Sequence, residues 1–500
     1  MRRWLFLPGL ALLLPVSALA AAGHFDGLYG QDAFAYYDYA TGPLRESLLA
    51  FRPWPPFFWP PGYPLLISVV SLAIGKVPLA GQAISLLAGS LAPVFTALFV
   101  REMRNDASDN FTPFAAGLTV ALTGQLWQSS AVVMADTTGL AAATLGAWAL
   151  ARYGHQGGGM WLALAGASLA FATLTRWIYG LVALPCAVYA LLVVVRRGRT
   201  AIGHAALALL AAGVFLAPLL GSTFNLLAGW TTGLASFAGN LQTHRWHPAH
   251  AIQREFDTPD GHLRYSLPNG LYYALAPAHR YYFTPLLALF LLPGLWVVCQ
   301  KCSAALWWLV VGWAGIVYLY HAGDPYQNFR FTLAYLPPLA ALAALGARQL
   351  WERVAAASPS RAWRLGLWLA LGWGAMAVGG WQLTQDFISR KNAELDIVRR
   401  VEARLPANAR LITFNLTPTF RHYSSLEALE LYDLQPQDLP ALLGDGKPTF
   451  VIVDATNVET QWRDQPLGQT YRWLKEQGQL QPLLQLGPYT LSRLAVPFAP

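Results

Sequence analysis

Charge is what this chain has least of. Asp, Glu, Lys and Arg make up 12% of its 500 residues, against about a quarter in a soluble domain, and that excludes an ordinary water-soluble globule. Cysteine is scarcer still, with three in total, which excludes a disulfide framework. Two of them, Cys299 and Cys302, stand as "CQKC". No second CxxC accompanies them, so a four-cysteine zinc site is excluded, and with Lys301 between them the pair reads as a cytoplasmic turn. There is no GxGxxG and no phosphate-binding loop; "GDGKPT" at 444–449 has the wrong spacing and reads as a turn. No internal repeat of the kind found in inverted-repeat transporters is visible. The net charge of +8 is broken into short clusters between apolar runs, so it encodes membrane topology and not nucleic-acid binding.

Apolar sequence is what the chain has in abundance. Hydrophobic residues are 55% of it, and runs of about 20 residues, the span of a bilayer core, recur along most of its length. Arg2 and Arg3 precede the first run, which ends in "ALAAAG"; it is either a cleaved signal peptide or, as the membrane character of the later runs favours, a retained first span. Either way residue 23 onward lies outside the cytoplasm. With basic clusters kept inside, the expected spans are 4–22, 82–100, 111–127, 136–152, 159–175, 177–195, 202–221, 281–298, 304–321, 331–347 and 365–384. The short run at 62–77 reads as a helix lying on the outer membrane surface. Residues 222–280 form a long external loop.

The fold class expected is therefore an all-α polytopic membrane domain over 1–384, with about eleven transmembrane helices and juxtamembrane helices in the first external loop. It is followed over 385–500 by a small extracytoplasmic α/β domain. In that tail "ARLITF", "LELYDL", "TFVIVDA" and "LQPLLQL" read as strands, alternating with helical stretches such as "NAELDIVRRVEARL" and "GQTYRWLKEQG".

Charges at membrane depth are costly and tend to be functional, and those on the outer face are few. The first loop carries Asp26, Asp32, Asp38, Arg45, Glu46 and Arg52; Asp136 lies in "SSAVVMADTT", Arg176 in "LTRWIYG" and Arg330 in "GDPYQNFRFTLAYLPP". His244, His247 and His250 in "HRWHPAH" have a spacing that suits two metal ligands on one helical face, but Pro248 interrupts it, and solvent-exposed loop histidines are the simpler reading.

In order, an acid followed by tyrosines after the first span ("QDAFAYYDYA"), "PPGYPLL" opening a surface helix, "MADTT", "TR" between spans 5 and 6, and "FRFTLAYLPP" entering a late span resemble the C-type glycosyltransferases that use dolichyl- or polyprenyl-phosphate sugars. These include protein O-mannosyltransferases and lipid A aminoarabinose transferases. The likeness covers most of 1–350. It implies transfer of a sugar from a polyprenyl-phosphate donor, at the membrane lipid surface, to a glycolipid, glycan or protein acceptor on the periplasmic side of a bacterial inner membrane. It implies Asp32 as the general base with inversion at the anomeric carbon, Asp26 being the second choice. Asp32 is equally placed to cap the helix that follows it. Asp136 is expected to orient the acceptor, to hold a divalent cation if one is used, or to cap span 4. Arg330, Arg176 and Arg52 are expected to bind the donor phosphate, guanidinium matching phosphate oxygens in a forked geometry, or else to anchor the interface. Tyr36, Tyr37, Tyr63 and Trp59 are expected to line the sugar or acceptor pocket. Trp59 stands where some members of the family carry a charged residue, which weakens any metal site there. The competing readings are a flippase or transporter of a lipid-linked saccharide, a ligase that transfers a preassembled chain, and a non-catalytic scaffold. The first of these predicts charges at mid-membrane depth, where this chain has almost none.

Overall fold

The computed structural model describes residues 6–23, 25–104, 106, 108–223, 245–477 and 480–494. These residues form two compact units. One is drawn from Met1–Leu28, Ala35–Ile252 and Pro268–Phe387, the other from Tyr29–Phe34, Gln253–Leu267 and Ile388–Pro500. The second unit thus takes in two short pieces of loop besides the expected tail.

In the first unit the apolar runs are helices, as their lengths require. They open with α1 (Phe6–Ala22), α2 (Gln31–Tyr39), α3 (Arg45–Leu49) and α4 (Gly62–Ile74), and continue with α5 (Leu79–Arg104), α6 (Phe111–Ala121), α7 (Gly124–Ala131) and α8 (Asp136–Gln156). After α9 (Gly159–Thr175), α10 (Ile178–Arg197) and α11 (Thr200–Thr223) come the late helices Thr284–Ala288, Leu291–Lys301, Trp313–Gly323, Leu336–Ala357 and Pro359–Glu402. Among the described residues five helical stretches are long and apolar enough to cross a bilayer, Leu79–Arg104, Ile178–Arg197, Thr200–Ala217, Ala304–Gly323 and Phe329–Ala357, and shorter apolar helices accompany them. The run at 62–77, expected as a surface helix, is helical over Gly62–Ile74 as α4.

Span 3 differs from expectation because it is two helices. Thr123 is extended (φ −68°, ψ 116°), and the chain restarts as α7. The break leaves backbone groups without helical partners, and other groups satisfy them. The Trp127 indole donates to the Ala121 carbonyl (2.6 Å) and Gln125 N–H to the Tyr281 carbonyl (3.1 Å). Gly124 meets the helix Pro359–Glu402 so closely that a Cβ would stand 2.5 Å from the Gly380 Cα.

The basic helix ends gather at one end of this unit. Arg152 in α8 pairs with Glu102 in α5 (2.6 Å), and Arg197 at the end of α10 donates to the Tyr153 and Gly154 carbonyls (3.0 Å each). Asp136 opens α8, and Arg152 lies 16 residues further along the same helix, about 24 Å away at the rise of an α-helix. That distance approaches the thickness of a bilayer core, about 30 Å.

The second unit is built on a five-stranded sheet of order β4-β3-β5-β7-β6: β3 (Arg410–Thr413), β4 (Glu427–Glu430), β5 (Thr449–Val453), β6 (Leu480–Leu486) and β7 (Tyr489–Leu494). β3 runs parallel to β4 and β5, whereas β7 is antiparallel to β5 and β6. The central strands are apolar on both sides because both faces are covered. Leu411, Phe450 and Ile452 pack with Val398, Val401 and Phe420, while Ile412, Val451 and Val453 pack with Val458, Trp462 and Leu474. β7 was not apparent in the sequence, and "LELYDL" is strand only at its start, closing as a 3₁₀ turn over Leu431–Asp433. The helical stretch at 392–402 is not separate from the last span; the two are one helix of 44 residues. Within the long loop expected over 222–280, β1 (Glu255–Thr258) and β2 (Gly261–Arg264) form a hairpin. It is tied to the second unit by His262 N–H donating to the Gln461 carbonyl (2.8 Å).

"GDGKPT" does make a turn, and it holds an ion-pair network. The Arg410 guanidinium, buried at the start of β3, lies 2.6 Å from Asp445 and 3.2 Å from Glu427, and Lys447 lies 2.7 Å from Glu427. The bond from Arg410 holds the Asp445 carboxyl below its ordinary range, and the bond from Lys447, followed by that from Arg410, does the same for Glu427. A lowered folded value contributes stability above the unfolded value, near 4, and loses it as pH falls through the folded value. Arg410→Met is therefore expected to lower the melting midpoint of this unit by about 4 °C or more at pH 7 and by clearly less at pH 3. Thermal unfolding of the full chain in detergent at both pH values reads this directly, and equal shifts would exclude the network as the cause.

Candidate active site

Asp136 is fixed by the segment that leads to it. After α7, Val132 turns extended (φ −104°, ψ 151°), so Ala131–Ala135 crosses in front of the helices as a strap. Val133 N–H donates to the Gly27 carbonyl (2.9 Å), the Gln82 amide to the Ala131 carbonyl (2.8 Å) and the Ser85 hydroxyl to the Met134 carbonyl (3.1 Å). Gly27 has φ +90°, and a Cβ there would meet Val133 at 3.1 Å and Gln82 at 3.2 Å, so glycine suits the position twice over. Asp136 follows as the first residue of α8 and is 3% exposed.

Two arginines converge on that carboxylate. Arg176 follows α9 in extended conformation and donates from Nη1 to Oδ1 of Asp136. Arg330 Nε lies 3.7 Å from Oδ2. The Arg330 backbone is set by Asn328, whose side chain accepts its N–H (2.9 Å) at the start of a 3₁₀ turn over Phe329–Tyr335. The Phe331 ring stands between the two cations, its centroid 5.7 Å from the Arg176 Cζ and 5.6 Å from that of Arg330. The carboxylate is buried (4% side-chain exposure) beneath guanidinium groups that are 20% and 21% exposed. These three side chains sum to one positive charge, presented at the surface of the cluster. Such an arrangement is suited to holding an anion with forked, charge-assisted hydrogen bonds.

The wall behind Arg330 was not legible in the sequence. Tyr273 donates its hydroxyl to the Tyr326 carbonyl (2.6 Å) and accepts Asn328 N–H (3.2 Å). Asn269 accepts from the Gln327 amide (2.7 Å) and donates to the Asp324 carbonyl. His321, buried, stacks on Phe331 (5.3 Å, 14°) and on Tyr273 (5.3 Å, 28°). "LPNGLYY" supplies half of this network. A polar Asn beside paired tyrosines within a loop was its only sequence signal.

Asp32 lies in the first turn of α2, half-buried, within the Tyr29–Phe34 piece of the second unit. Asp26 accepts the N–H of Leu28 (3.1 Å), a local turn bond, and Asp38 is exposed. Tyr36, Tyr63 and Trp59 are brought together. The Tyr36 ring is 5.4 Å from Tyr63, 5.3 Å from Trp59 and 5.8 Å from Phe57. The Tyr63 hydroxyl is bonded to the Gly81 carbonyl (3.0 Å) and to Ser85 (2.8 Å), the serine that also holds Met134. Tyr37 turns away from this cluster and donates to the Lys76 carbonyl (2.7 Å). Arg52 is exposed. The start of α4 rests on the end of α9, where a Cβ on Gly62 would fall 2.7 Å from the Leu174 carbonyl oxygen, two residues before Arg176.

The histidine spacing does not build a metal site among the described residues. His250 bonds through Nδ1 to the Gly323 carbonyl (2.8 Å), and His247 Nδ1 accepts from Ala249 N–H (3.2 Å); His244 lies outside the described residues. No group of three or more His, Cys, Asp or Glu side chains gathers anywhere among those described. Cys299 and Cys302 are free thiols.

No protein-family model matches the chain, and no curated protein matches it. Solved structures do match its fold. ArnT from Cupriavidus metallidurans bound to undecaprenyl phosphate superposes with a TM-score of 0.64 at 14% identity, over 98% of both chains. The same protein in its apo state gives 0.61 at 15% identity, again over 98% of both. The archaeal oligosaccharyltransferase AglB from Archaeoglobus fulgidus, in complex with an inhibitory peptide and a dolichol-phosphate, gives 0.56 at 12% identity over 94% of this chain and 72% of that one. The C-type glycosyltransferase fold expected from the sequence is the fold observed, and the chain is a multi-pass membrane protein.

Proposed function

We propose that this chain is a membrane glycosyltransferase that takes a sugar from a polyprenyl-phosphate donor and passes it to a glycolipid, glycan or protein acceptor on the periplasmic side of a bacterial inner membrane. In the same reading its C-terminal unit is extracytoplasmic. The observation that carries it is the convergence of Arg176 and Arg330 on Asp136. The cluster lies at the far end of α8 from the basic helix ends, on a fold shared with proteins solved with undecaprenyl phosphate and dolichol-phosphate. Positive ends mark the cytoplasmic side, and this reading puts the cluster at the opposite membrane surface, where the headgroup of a lipid-linked donor lies.

In the proposed reaction Asp32 accepts the proton of the acceptor hydroxyl as that oxygen bonds to the anomeric carbon. The bond between that carbon and the phosphate oxygen breaks, and its electron pair stays on the phosphate. Arg176 and Arg330 bind the phosphate and stabilise the charge it gains. Attack from the face opposite the leaving phosphate inverts the anomeric centre. Asp136 keeps the two guanidinium groups aligned before the donor arrives. Trp59, half-buried, offers an apolar ring face of the kind that stacks on a sugar, and the buried rings of Tyr36 and Tyr63 back it.

The test is transfer by the purified full-length protein in proteoliposomes, from a radiolabelled undecaprenyl-phosphate hexose to an envelope glycolipid extract. Label is expected in the acceptor fraction, and label that crosses the bilayer without changing carrier would sink the proposal in favour of a flippase. Orientation is tested separately. Cysteine at the exposed position Gln31, with Cys299 and Cys302 replaced by serine, is expected to react with a membrane-impermeant maleimide added from the periplasmic side.

A further inference from the structure

Lys391 is 1% exposed, among the largest fully buried side chains in the protein. An ammonium group is costly to bury unless its surroundings compensate, and an apolar residue of similar volume fills such a space more cheaply. Two aromatic rings face it. Nζ lies 4.0 Å from the ring centroid of Tyr423 and 4.9 Å from that of Phe34, both within the range of a cation–π interaction. Phe34 closes the arrangement by meeting Tyr423 edge-on (6.2 Å) and His422 (5.8 Å), at the end of the helix Thr417–Tyr423.

Phe34 is the last residue of the Tyr29–Phe34 piece, and Asp32 lies within it. The first residue of the piece, Tyr29, feels the charge of the same helical turn. Glu394, one turn beyond Lys391, accepts the Thr419 hydroxyl (3.1 Å). Burial pushes its carboxyl up, against the opposing effects of Lys391 and that hydrogen bond. Burial, and then the charge of Glu394, also push up the Tyr29 phenol. The Phe34 end of the six-residue piece is thus held against this helical turn, and the piece carries the half-buried acid two residues before it.

We propose that Lys391 is a positioning residue for the Asp32 turn. Its ammonium, clasped by the rings of Phe34 and Tyr423, fixes the orientation of Tyr29–Phe34 and with it the carboxylate of Asp32. The inference rests on the reading of Asp32 as the general base. It assigns the C-terminal unit a part in holding that base.

Two variants of the full-length protein test it. Lys391→Met keeps the volume and removes the charge; Lys391→Arg keeps both charge and ring contact. With an undecaprenyl-phosphate hexose as donor, Lys391→Met is expected to lower kcat by about 30-fold with the donor KM within about twofold, as a displaced catalytic group does. Lys391→Arg is expected to retain about a third of wild-type turnover or more. Amide exchange over residues 29–36 is expected to quicken by about tenfold in Lys391→Met while that of β3 stays unchanged. Phe34→Leu serves if Lys391→Met fails to fold, with the same expectation. Wild-type turnover in Lys391→Met or Phe34→Leu overturns the proposal, and so does unchanged exchange over 29–36. If Asp32→Asn transfers at the wild-type rate, the assignment of the base fails instead, and the exchange comparison still decides whether Lys391 holds the turn.

Discussion

Asp32→Asn is expected to reduce kcat for sugar transfer by about a thousandfold, within the range that a general base contributes, with donor binding unchanged. The amide keeps the size and hydrogen-bonding shape of the carboxylate but cannot accept the acceptor's proton. Asp32 lies in the first turn of α2, where a side chain also favours the helix start, so a drop in activity alone would not separate chemistry from folding. Asparagine keeps the size of the side chain in that turn and loses its charge, so kcat measured together with amide exchange over residues 29–36 separates the two. Asp26→Asn, altering a residue bonded to Leu28 N–H, is expected to leave kcat within about threefold of wild type. Turnover with a labelled lipid-phosphate hexose measures both. A wild-type rate in Asp32→Asn would remove the residue from the mechanism.

Replacing both arginines of the cluster is expected to have the second large effect. Each hydrogen bond to a charged group contributes about 1.5–3 kcal/mol, so Arg330→Ala or Arg176→Ala is expected to weaken binding of undecaprenyl phosphate by about 10- to 100-fold. The double variant is expected to lose less than the product of the two. The reason is geometric: both side chains answer to one carboxylate and flank one ring, so removing either disturbs the other. Arg330→Lys should restore little, because an ammonium lacks the fork. Titration of fluorescent undecaprenyl phosphate into nanodisc-held protein gives all four affinities. Arg52→Ala is the contrast, since its side chain is exposed and does not take part in the ion pairs of Asp136. An equal loss in Arg52→Ala would place the phosphate elsewhere.

What the sequence disclosed depended on how local each signal was. Apolar runs bounded by arginines announce helices and their direction, because the bilayer acts on every residue of a run alike. Asp136, Arg176 and Arg330 stood out for the same reason, as charges at the ends of such runs. Their meeting did not, because it depends on how α8, α9 and the turn at Phe329–Tyr335 pack. Hydropathy does not register the break at Thr123, which is made by a change of ψ in an apolar stretch. β7 was hidden because "YTLSRL" alternates weakly and reads as loop, although it lies between two partners. Lys391 was wholly invisible. In "ISRKNAEL" nothing separates it from Arg390 beside it, and only the packing of two distant aromatic residues against the helix buries one of the two.

The charge of the arginine cluster has a further bearing on turnover in the proposed reaction. One carboxylate and two guanidinium groups leave a single positive charge. A sugar-bearing lipid phosphate is a diester with one negative charge, so the loaded cluster is electrically neutral. Once the sugar has left, the lipid carries a monoester whose second ionisation lies near pH 6. Above that pH the spent carrier bears one negative charge more than the donor and is held more tightly by the positive cluster, so its release is expected to slow turnover there and to be eased by protonation below it.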